Sequence, residues 1–377
     1  MSRRLPLLLT TLLLCGCAQP GGQRQGVILV GSFLSLTGTT ATFGQSSKNG
    51  IDLAIEQANA QGGALGNRIQ VIYEDDQSKP EEAANAVQKL INRDRVVAVL
   101  GEVASSRSLA GAPYCQNAHV PMITPSSTNP QVTQKGDYIF RACFTDDFQG
   151  EAGARFATQN LGLKRLAILM DAKNDYSKGL ATFFRAYAEK SGSKIVAEAA
   201  YSEGDRDFRA QLTEIRRAEP DALYIPGYYT EVGLAARQAR ELGLNVPLLG
   251  GDGWDSEKLL EIGGKAVEGA CITNHYSVDS PDHRVREFVA AYRKRFGEIP
   301  DALAAQAYDA AGMLIAAIKR AGTVHGPSLR SAIAATKNYQ GVTGSITLDA
   351  NRNARKPAVI LRLVNGHWHK VAEIKPQ

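Results

Sequence analysis

Residues 120–130 read VPMITPSSTNP, and residues 246–252, VPLLGGD, begin in the same way. Each stretch opens with Val-Pro, continues as a short apolar run and ends in small polar residues, a pattern typical of a buried strand followed by a loop. Each is also the fourth apolar run of a series. The predicted strands lie at residues 27–33, 69–75, 96–102 and 120–125 in the first series and at 165–171, 194–201, 222–229 and 246–252 in the second. The chain therefore predicts two copies of one structural unit.

Helical patterns separate these predicted strands. The apolar stripe of SSKNGIDLAIEQANAQGG consists of Ile51, Ala54, Ile55 and Ala58. A second pattern, KPEEAANAVQKLINRD, begins with a proline and two glutamates, which suit the first turn of a helix. Strands that alternate with helices form parallel sheets covered by helices on both faces. The sequence therefore predicts an α/β fold with two doubly wound parallel-sheet lobes.

The last part of the chain is predicted to extend both lobes. Residues from about 282 to 321 have a helical pattern, and the run PAVILRLVNGHWHKV predicts a β-hairpin that turns at Asn365-Gly366. These elements follow the second series of strands in the sequence. They must therefore cross between the two lobes.

Composition and motifs exclude several classes of function. The 377 residues are 44% hydrophobic and 21% charged, an ordinary globular composition, and their number exceeds what one core usually holds. The net charge is +5, and no basic run with interleaved aromatic residues suggests nucleic-acid binding. The sequence contains no HExxH, GxSxG or P-loop motif. We therefore predict no enzyme activity, no metal site and no cofactor. The rival class is an exported hydrolase, which would need a nucleophile with a histidine base in reach; the six histidines lie in no such motif.

The N-terminus has the layout of an export signal. Two arginines precede an apolar stretch from Leu5 to Leu14, which is too short to span a bilayer. The residues Leu-Cys-Gly-Cys that end at Cys17 resemble the bacterial lipoprotein box, in which the last cysteine is lipidated. We predict a signal peptide at 1–16, a tether at 17–25 and an exported protein held at the membrane by its lipid alone, facing the periplasm or cell exterior. An ordinary cleaved signal peptide is the alternative.

Three cysteines remain after the signal peptide: Cys115, Cys143 and Cys271. An oxidising compartment permits a disulfide bond, and an odd number leaves at least one thiol free. A bond between Cys115 and Cys143 is one possibility, with Cys271 as a buried thiol.

The two-lobe fold predicts where a ligand binds, because parallel sheets bind ligands outside the carboxyl ends of their strands. The polar residues at those ends are Ser105, Ser127, Thr128, Tyr228 and Asp252. Hydroxyl and backbone N–H groups suit an anion, and a single carboxylate suits a cation. A ligand that carries both groups at short spacing is an α-amino acid.

Local structure offers alternative explanations for the same residues. The loop SSTNP is also typical of a plain turn, and Asp252 is a residue type that often caps a helix. We expect Asp255, which lies nearer the next helix, to be that cap. Tyr176 is also a candidate for packing at a helix start.

The chain resembles the type I periplasmic binding proteins of amino-acid ABC importers, most closely the leucine–isoleucine–valine binding protein family. The resemblance covers nearly all of residues 26–372 and rests on GNRIQVIYEDDQSKP, SSTNPQVTQKGDYIFRACFTDDFQG, YSKGL, GYYTEVGLAARQARELG and GGDGWDSE. It implies two lobes joined by a three-segment hinge. The implied lobes are residues 26–145 plus 277–348 and residues 146–276 plus 349–377.

The resemblance also implies a set of ligand-binding residues. These are Phe43, Ser105, Ser126, Ser127, Thr128, Tyr176, Tyr228 and Asp252. It implies that Ser105 and Thr128 contact the ligand's carboxylate and ammonium and that Asp252 accepts the ammonium. Among the others, the two serines of the loop offer backbone groups and the three aromatic residues line the pocket. The branched-chain protein typically has a glutamate at the position of Asp252, one methylene longer.

The function that the resemblance implies is capture of a free amino acid, branched-chain or a related aliphatic one, for an ABC permease of the branched-chain amino acid type. Binding closes the two lobes and involves no chemical step. The alternative is a sensor or receptor subunit of the same fold that binds amides, urea or aromatic acids. The acid at position 252 favours a ligand with an ammonium group.

Overall fold

The computed structural model describes residues 26–376 of the chain. The predicted signal peptide at 1–16, the tether at 17–25 and the lipid site Cys17 therefore lie outside the described residues. Within residues 26–376, no helix is both long enough and apolar enough to span a bilayer.

The first lobe is built on a sheet of five parallel strands in the order β2-β1-β3-β4-β5. The strands are β1 (Val27–Leu34), β2 (Arg68–Asp75), β3 (Val99–Leu100), β4 (Met122–Thr124) and β5 (Ile139–Arg141). Their apolar side chains are buried on both faces of the sheet, as expected for a parallel sheet between two layers of helices.

The second lobe repeats this order. Its parallel strands run β7-β6-β8-β9-β10, and an antiparallel hairpin extends the sheet beyond β10. The strands are β6 (Arg165–Asp171), β7 (Lys194–Tyr201), β8 (Ala222–Tyr224), β9 (Leu248–Gly250), β10 (Cys271–Asn274), β13 (Ala358–Val364) and β14 (His367–Ile374). A separate two-stranded sheet consists of β11 (Tyr339–Gly341) and β12 (Gly344–Ile346).

Helices cover the sheets of both lobes. In chain order they are α1 (Ala41–Ala60), α2 (Pro80–Asn92), α3 (Ser105–Asn117), α4 (Gln131–Gln134), α5 (Asp146–Arg155), α6 (Asp175–Lys190), α7 (Arg209–Arg217), α8 (Tyr229–Glu241), α9 (Glu257–Gly263), α10 (His283–Phe296), α11 (Ala302–Ala321) and α12 (Gly326–Ala334). Short helical turns lie at Phe156–Asn160, Asp252–Trp254 and Gly264–Val267. On the first sheet, α1, α11 and α12 pack against one face and α2 and α3 against the other.

The prediction of an α/β fold with two parallel-sheet lobes is confirmed, and the two copies agree in detail. The backbone N–H of Val99 donates to the carbonyl of Pro121 at 2.8 Å, and that of Leu223 donates to the carbonyl of Pro247 at 3.0 Å. The two Val-Pro pairs therefore precede the fourth strand of each lobe in the same way. The C-terminal hairpin is also confirmed, because Val364 pairs with His367 across the turn.

The predicted strand at 222–229 is wrong in its second half. Strand β8 ends at Tyr224, and Tyr229 is the first residue of α8. Pro226 has no N–H for the sheet, so the strand stops before it. Tyr228 and Tyr229 do not lie on a strand, so their side chains do not alternate between two faces of the sheet, and both are buried.

The chain passes between the lobes three times: after β5, after β10 and between β12 and β13. Helices α10, α11 and α12 lie between the second and third crossings; α10 and α11 pack against α1 of the first lobe, and α12 packs against α11. The lobe limits at 145/146, 276/277 and 348/349 stay a prediction.

The possible disulfide bond between Cys115 and Cys143, which the sequence left open, is not formed in the structure. Cys115, Cys143 and Cys271 are all buried as free thiols. Cys115 belongs to the core between the first sheet and helices α2 and α3, whereas the thiol of Cys143 lies 3.6 Å from the carbonyl of Ser127. Burial raises the pKa of the Cys143 thiol to about 12, so this group is inert as a nucleophile at neutral pH.

Close packing of α1 against α11 depends on Gly50. A Cβ atom at this position would lie 2.1 Å from the carbonyl oxygen of Ala304, so the helices would have to separate. We expect Gly50→Ala to lower the free energy of unfolding by about 1–3 kcal/mol, the usual cost of overpacking. Denaturant unfolding measures this loss.

The matched control is Gly153→Ala in α5, where the added Cβ would meet Phe184 and Thr273 at 3.6 Å, an ordinary contact. This variant is expected to be neutral or slightly stabilising, because alanine favours a helix over glycine. Equal stability losses in the two variants would contradict the packing argument.

Candidate ligand-binding site

A small cavity of about 10 Å³, room for about one water molecule, lies between the lobes, at the carboxyl ends of their strands. Its lining residues are Phe43, Val103, Ser126, Tyr176, Tyr228, Asp252, Gly253 and Leu303. Helices α1 and α11 and the ends of β3 and β4 supply the first-lobe wall, and the second lobe supplies the rest. The site is therefore completed only when both lobes meet.

Five of the eight residues predicted for the site line this cavity. They are Phe43, Ser126, Tyr176, Tyr228 and Asp252. The other three, Ser105, Ser127 and Thr128, are buried in the first-lobe loops next to it and do not line the cavity itself.

The hydroxyls of the loop PSSTNP point in different directions. The Ser127 hydroxyl lies 2.8 Å from the carbonyl of Glu102 and 2.7 Å from the hydroxyl of Ser108. It therefore fastens the loop to the end of β3 and is committed to the protein. The Ser126 hydroxyl donates to the Gln306 side chain at 3.0 Å.

Ser105 and Thr128 lie where the N-terminus of α3 meets the same loop. Ser105 is the first residue of α3, and its hydroxyl oxygen accepts a hydrogen bond from the backbone N–H of Asn129 at 3.2 Å. The Thr128 hydroxyl is buried and faces the carboxyl of Asp146, whose pKa it lowers. Free N–H groups at a helix N-terminus suit a carboxylate.

An arginine that the sequence reasoning missed holds this loop in place. Arg141, at the end of β5, is fully buried. Its guanidinium donates to the carbonyls of Ser127 at 2.5 Å and Asn129 at 2.8 Å. Burial lowers the pKa of Arg141, yet no carboxylate pairs with it among the hydrogen bonds described for residues 26–376. The available signal was an arginine inside the apolar run YIFRACF.

The carboxylate of Asp252 is oriented by three neutral donors. Its Oδ1 accepts hydrogen bonds from the Gln149 amide at 2.7 Å and the Tyr176 hydroxyl at 2.9 Å, and its Oδ2 lies 3.0 Å from Nε2 of His275. Burial lowers the pKa of His275 to about 4, although Asp252 opposes this shift. None of the three donors therefore carries a charge at neutral pH.

A second acid lies close to Asp252. Asp146, the first residue of α5, is fully buried, and its carboxyl faces the Thr128 hydroxyl. Burial raises the pKa of Asp146 well above its usual range; the Thr128 hydroxyl opposes this shift, and the charge of Asp252 adds to it. Sequence reasoning missed Asp146 and Gln149, which lie three residues apart in α5, and His275, which no motif links to them.

Asp252 does not cap the helix that follows, and neither does Asp255. The carboxylate of Asp255 accepts hydrogen bonds from the Asn274 side chain and from the backbone N–H of Ala302, both at 2.9 Å. The cap of α9 is Ser256, which accepts from the backbone N–H of Lys258. The expectation for Asp255 was therefore wrong, because the carboxylate is used at the start of α11.

The glycine before Asp252 allows its close approach to Tyr176. A Cβ atom at Gly251 would lie 2.4 Å from the Tyr176 hydroxyl and 2.7 Å from the Gln149 amide nitrogen. A larger residue would therefore displace the same two groups that hold Asp252.

The rest of the cavity is aromatic and aliphatic. The rings of Tyr176 and Tyr228 are stacked at 5.3 Å, and Phe43 meets Tyr228 edge-on at 5.4 Å. Val103 and Leu303 complete this apolar wall. The cavity thus offers charged and polar groups at one end and an apolar surface at the other.

Direct hydrogen bonds join the lobes around the cavity. Arg107 of the first lobe donates to the Glu203 carboxylate at 3.2 Å. The backbone N–H of Asp175 donates to the Ser106 hydroxyl at 2.9 Å, and its carbonyl accepts from the Asn129 side chain at 2.8 Å. The lobes are therefore in the closed arrangement.

Comparison with known proteins gives consistent results. A family model described as periplasmic binding protein matches residues 27–367. The Leu/Ile/Val-binding protein BraC3 of Rhizobium johnstonii is 33% identical over 324 residues, 85% of this chain and 87% of that protein.

Solved structures agree with these matches. A leucine binding protein LivK from Thermotoga maritima has a TM-score of 0.88 and 40% identity, covering 93% of this chain and 99% of that one. The branched-chain amino acid transporter substrate binding protein LivJ from Streptococcus pneumoniae, in complex with isoleucine, has a TM-score of 0.88 and 32% identity over 93% and 100% of the two chains.

Proposed function

This chain belongs to the periplasmic binding proteins, in the branched-chain amino acid family, and we propose that it captures a branched-chain or related aliphatic amino acid and delivers it to an ABC importer. The observation that carries the proposal is the carboxylate of Asp252, held by neutral donors at one end of a largely apolar cavity. An anion in that position attracts a ligand's ammonium group.

Each part of an α-amino acid has a partner in this proposal. The ammonium is placed at Asp252 and the Thr128 hydroxyl, which is buried beside the Asp146 carboxyl. The carboxylate is placed at Ser105 and the N-terminus of α3. The side chain then meets Phe43 and Leu303 on the apolar wall.

The proposed mechanism is closure of the two lobes, a motion for which periplasmic binding proteins are an established example. Because both lobes contribute lining residues, a ligand makes all of its contacts only in the closed state. Its higher affinity for that state then shifts the population towards closure. An ABC permease of the branched-chain amino acid type is the proposed partner that recognises the closed form, and no chemical step is involved.

A thermal-shift screen of the protein without its signal peptide against the twenty amino acids tests this proposal. A ligand at 100 times its dissociation constant stabilises the protein by about 2.7 kcal/mol. We expect leucine, isoleucine or valine to give the largest shift. The alternative, a sensor or receptor subunit, predicts instead that benzoate, urea or an aliphatic amide stabilises the protein and that no amino acid does.

We also propose that the protein is exported and anchored by a lipid on Cys17, in a signal that resembles the lipoprotein box. Cys17→Ser is expected to abolish incorporation of labelled palmitate and to release the protein from membranes. Cys15→Ser is the matched control and should keep the label, because Leu14 before it is not small. Equal labelling of Cys17→Ser and wild type would contradict the anchor.

A further inference from the structure

His275 is held rigidly beside Asp252. It is the first residue after β10, and its side chain is completely buried. Its ring is stacked on Phe144 with 3.6 Å between the ring centres and an angle of 23°. Phe144 lies in the first crossing between the lobes and His275 at the start of the second. The imidazole therefore has one orientation, with Nε2 directed at Oδ2 of Asp252.

The partner of Nε2 fixes the tautomer. A carboxylate oxygen only accepts hydrogen bonds, so the proton of the neutral imidazole is on Nε2. The other nitrogen, Nδ1, is buried and has no hydrogen-bond partner within residues 26–376. Two charged groups face the ring: Asp252, which favours the protonated imidazole, and Lys356, which opposes it. Burial is the larger effect, and it keeps His275 neutral at neutral pH.

The neutrality of this donor matters to a charged ligand. A lysine or arginine beside Asp252 would form an ion pair and cancel the charge that attracts an ammonium group. A neutral N–H orients the same oxygen and leaves the charge in place. Gln149 and Tyr176 act on Oδ1 in the same manner. Three neutral donors thus fix an anion whose full charge remains available to the cavity.

We propose that His275 is a positioning residue for ligand selection: its neutral Nε2–H holds Asp252 in the orientation that accepts an ammonium group, without cancelling the charge. This inference rests on the proposed function, because it assigns a specific role to His275 in the recognition of an amino acid. In this proposal, the preference for an α-amino acid over the corresponding simple carboxylic acid depends on His275, although His275 does not line the cavity.

The test compares L-leucine with 4-methylpentanoate, which has the same carbon skeleton and no ammonium group, by titration or competition calorimetry. His275→Phe keeps a flat ring against Phe144 and removes the N–H donor. It is expected to weaken leucine binding about 10- to 100-fold, the effect of losing one hydrogen bond to a charged group. Binding of 4-methylpentanoate should change less than about threefold, because that ligand makes no use of the charge.

Two further variants complete the comparison. His275→Gln retains a neutral donor and is expected to recover most of the preference for leucine. His369→Phe is the matched control, because His369 also lies 3.0 Å from a carboxylate, that of Asp279, but on the exposed surface. It should leave both affinities unchanged.

The outcomes separate this inference from the proposed function. Equal losses for both ligands in His275→Phe, or no recovery in His275→Gln, would overturn the positioning role and indicate a structural one. The nitrogen chemical shifts of wild-type His275 give a ligand-independent readout: the Nε2–H tautomer at neutral pH supports the inference, and an imidazole that titrates near pH 6.5 overturns it. If the wild type binds no amino acid, the proposed function is wrong, and the nitrogen shifts alone decide whether His275 holds Asp252.

Discussion

Asp252→Ala is expected to weaken amino-acid binding by roughly a hundredfold to a few thousandfold. Removing one partner of a buried charge pair typically costs about 3–5 kcal/mol, and each 1.4 kcal/mol is a factor of ten in affinity. The cost is this large because Asp252 is only 4% exposed, so water cannot replace the carboxylate beside the ligand's ammonium. Titration calorimetry with L-leucine measures the loss.

The alanine variant also disturbs the protein itself, so a second variant is needed. Without the carboxylate, the donors of Gln149, Tyr176 and His275 lose their acceptor in a buried site. Asp252→Asn keeps the shape: its oxygen still accepts from Gln149 and Tyr176, and its NH₂ group can donate to His275 after the imidazole proton moves to Nδ1. We expect this variant to fold normally and still to lose most of its affinity for leucine.

Asp279→Asn removes an exposed carboxylate that also faces a histidine, and it should not affect binding. If Asp252→Asn binds leucine within a few-fold of the wild type, the ammonium assignment is wrong. A ligand without an ammonium group would then fit the site better.

The fold was largely predictable because the strands of a parallel sheet are short, apolar and evenly spaced. Strands β6 and β7 have the predicted bounds, 165–171 and 194–201. Strands β5 and β10 were not predicted, because Arg141 interrupts the apolar run of β5 and two of the four residues of β10 are polar. The two-lobe fold was still predicted without these two strands, because the other four strands of each lobe follow the same order.

The site was predictable only in part. The position of Asp252 follows from a strand end, a local feature that a sequence displays. Its partners Gln149 and His275 lie on α5 and after β10, and no sequence pattern indicates how two lobes align across a cleft. A sequence also does not show which way a loop hydroxyl points. The Ser127 hydroxyl could have faced a ligand, but in the structure it bonds to the protein.

Arg141 determines how the loop with Ser127 and Thr128 is presented, and its removal is the second large effect that we expect. Arg141→Met should lower the free energy of unfolding by about 3–5 kcal/mol. The guanidinium makes two short hydrogen bonds to the carbonyls of Ser127 and Asn129, and a hydrogen bond to a charged group contributes about 1.5–3 kcal/mol. Methionine fills a similar volume, so an empty cavity is not the main cost.

The matched control for Arg141→Met is Arg165→Met, and denaturant unfolding of both variants is the measurement. Arg165 also donates to two backbone carbonyls, those of Glu219 at 3.0 Å and Ala218 at 2.5 Å, but it lies on the surface. Water replaces its hydrogen bonds, so the loss should stay within about 0.5 kcal/mol. If the two variants lose the same stability, the buried guanidinium is not what holds the loop. If Arg141→Met alone is destabilised, its affinity for leucine should fall as well, because the loop that carries Thr128 has lost its anchor beside the cavity.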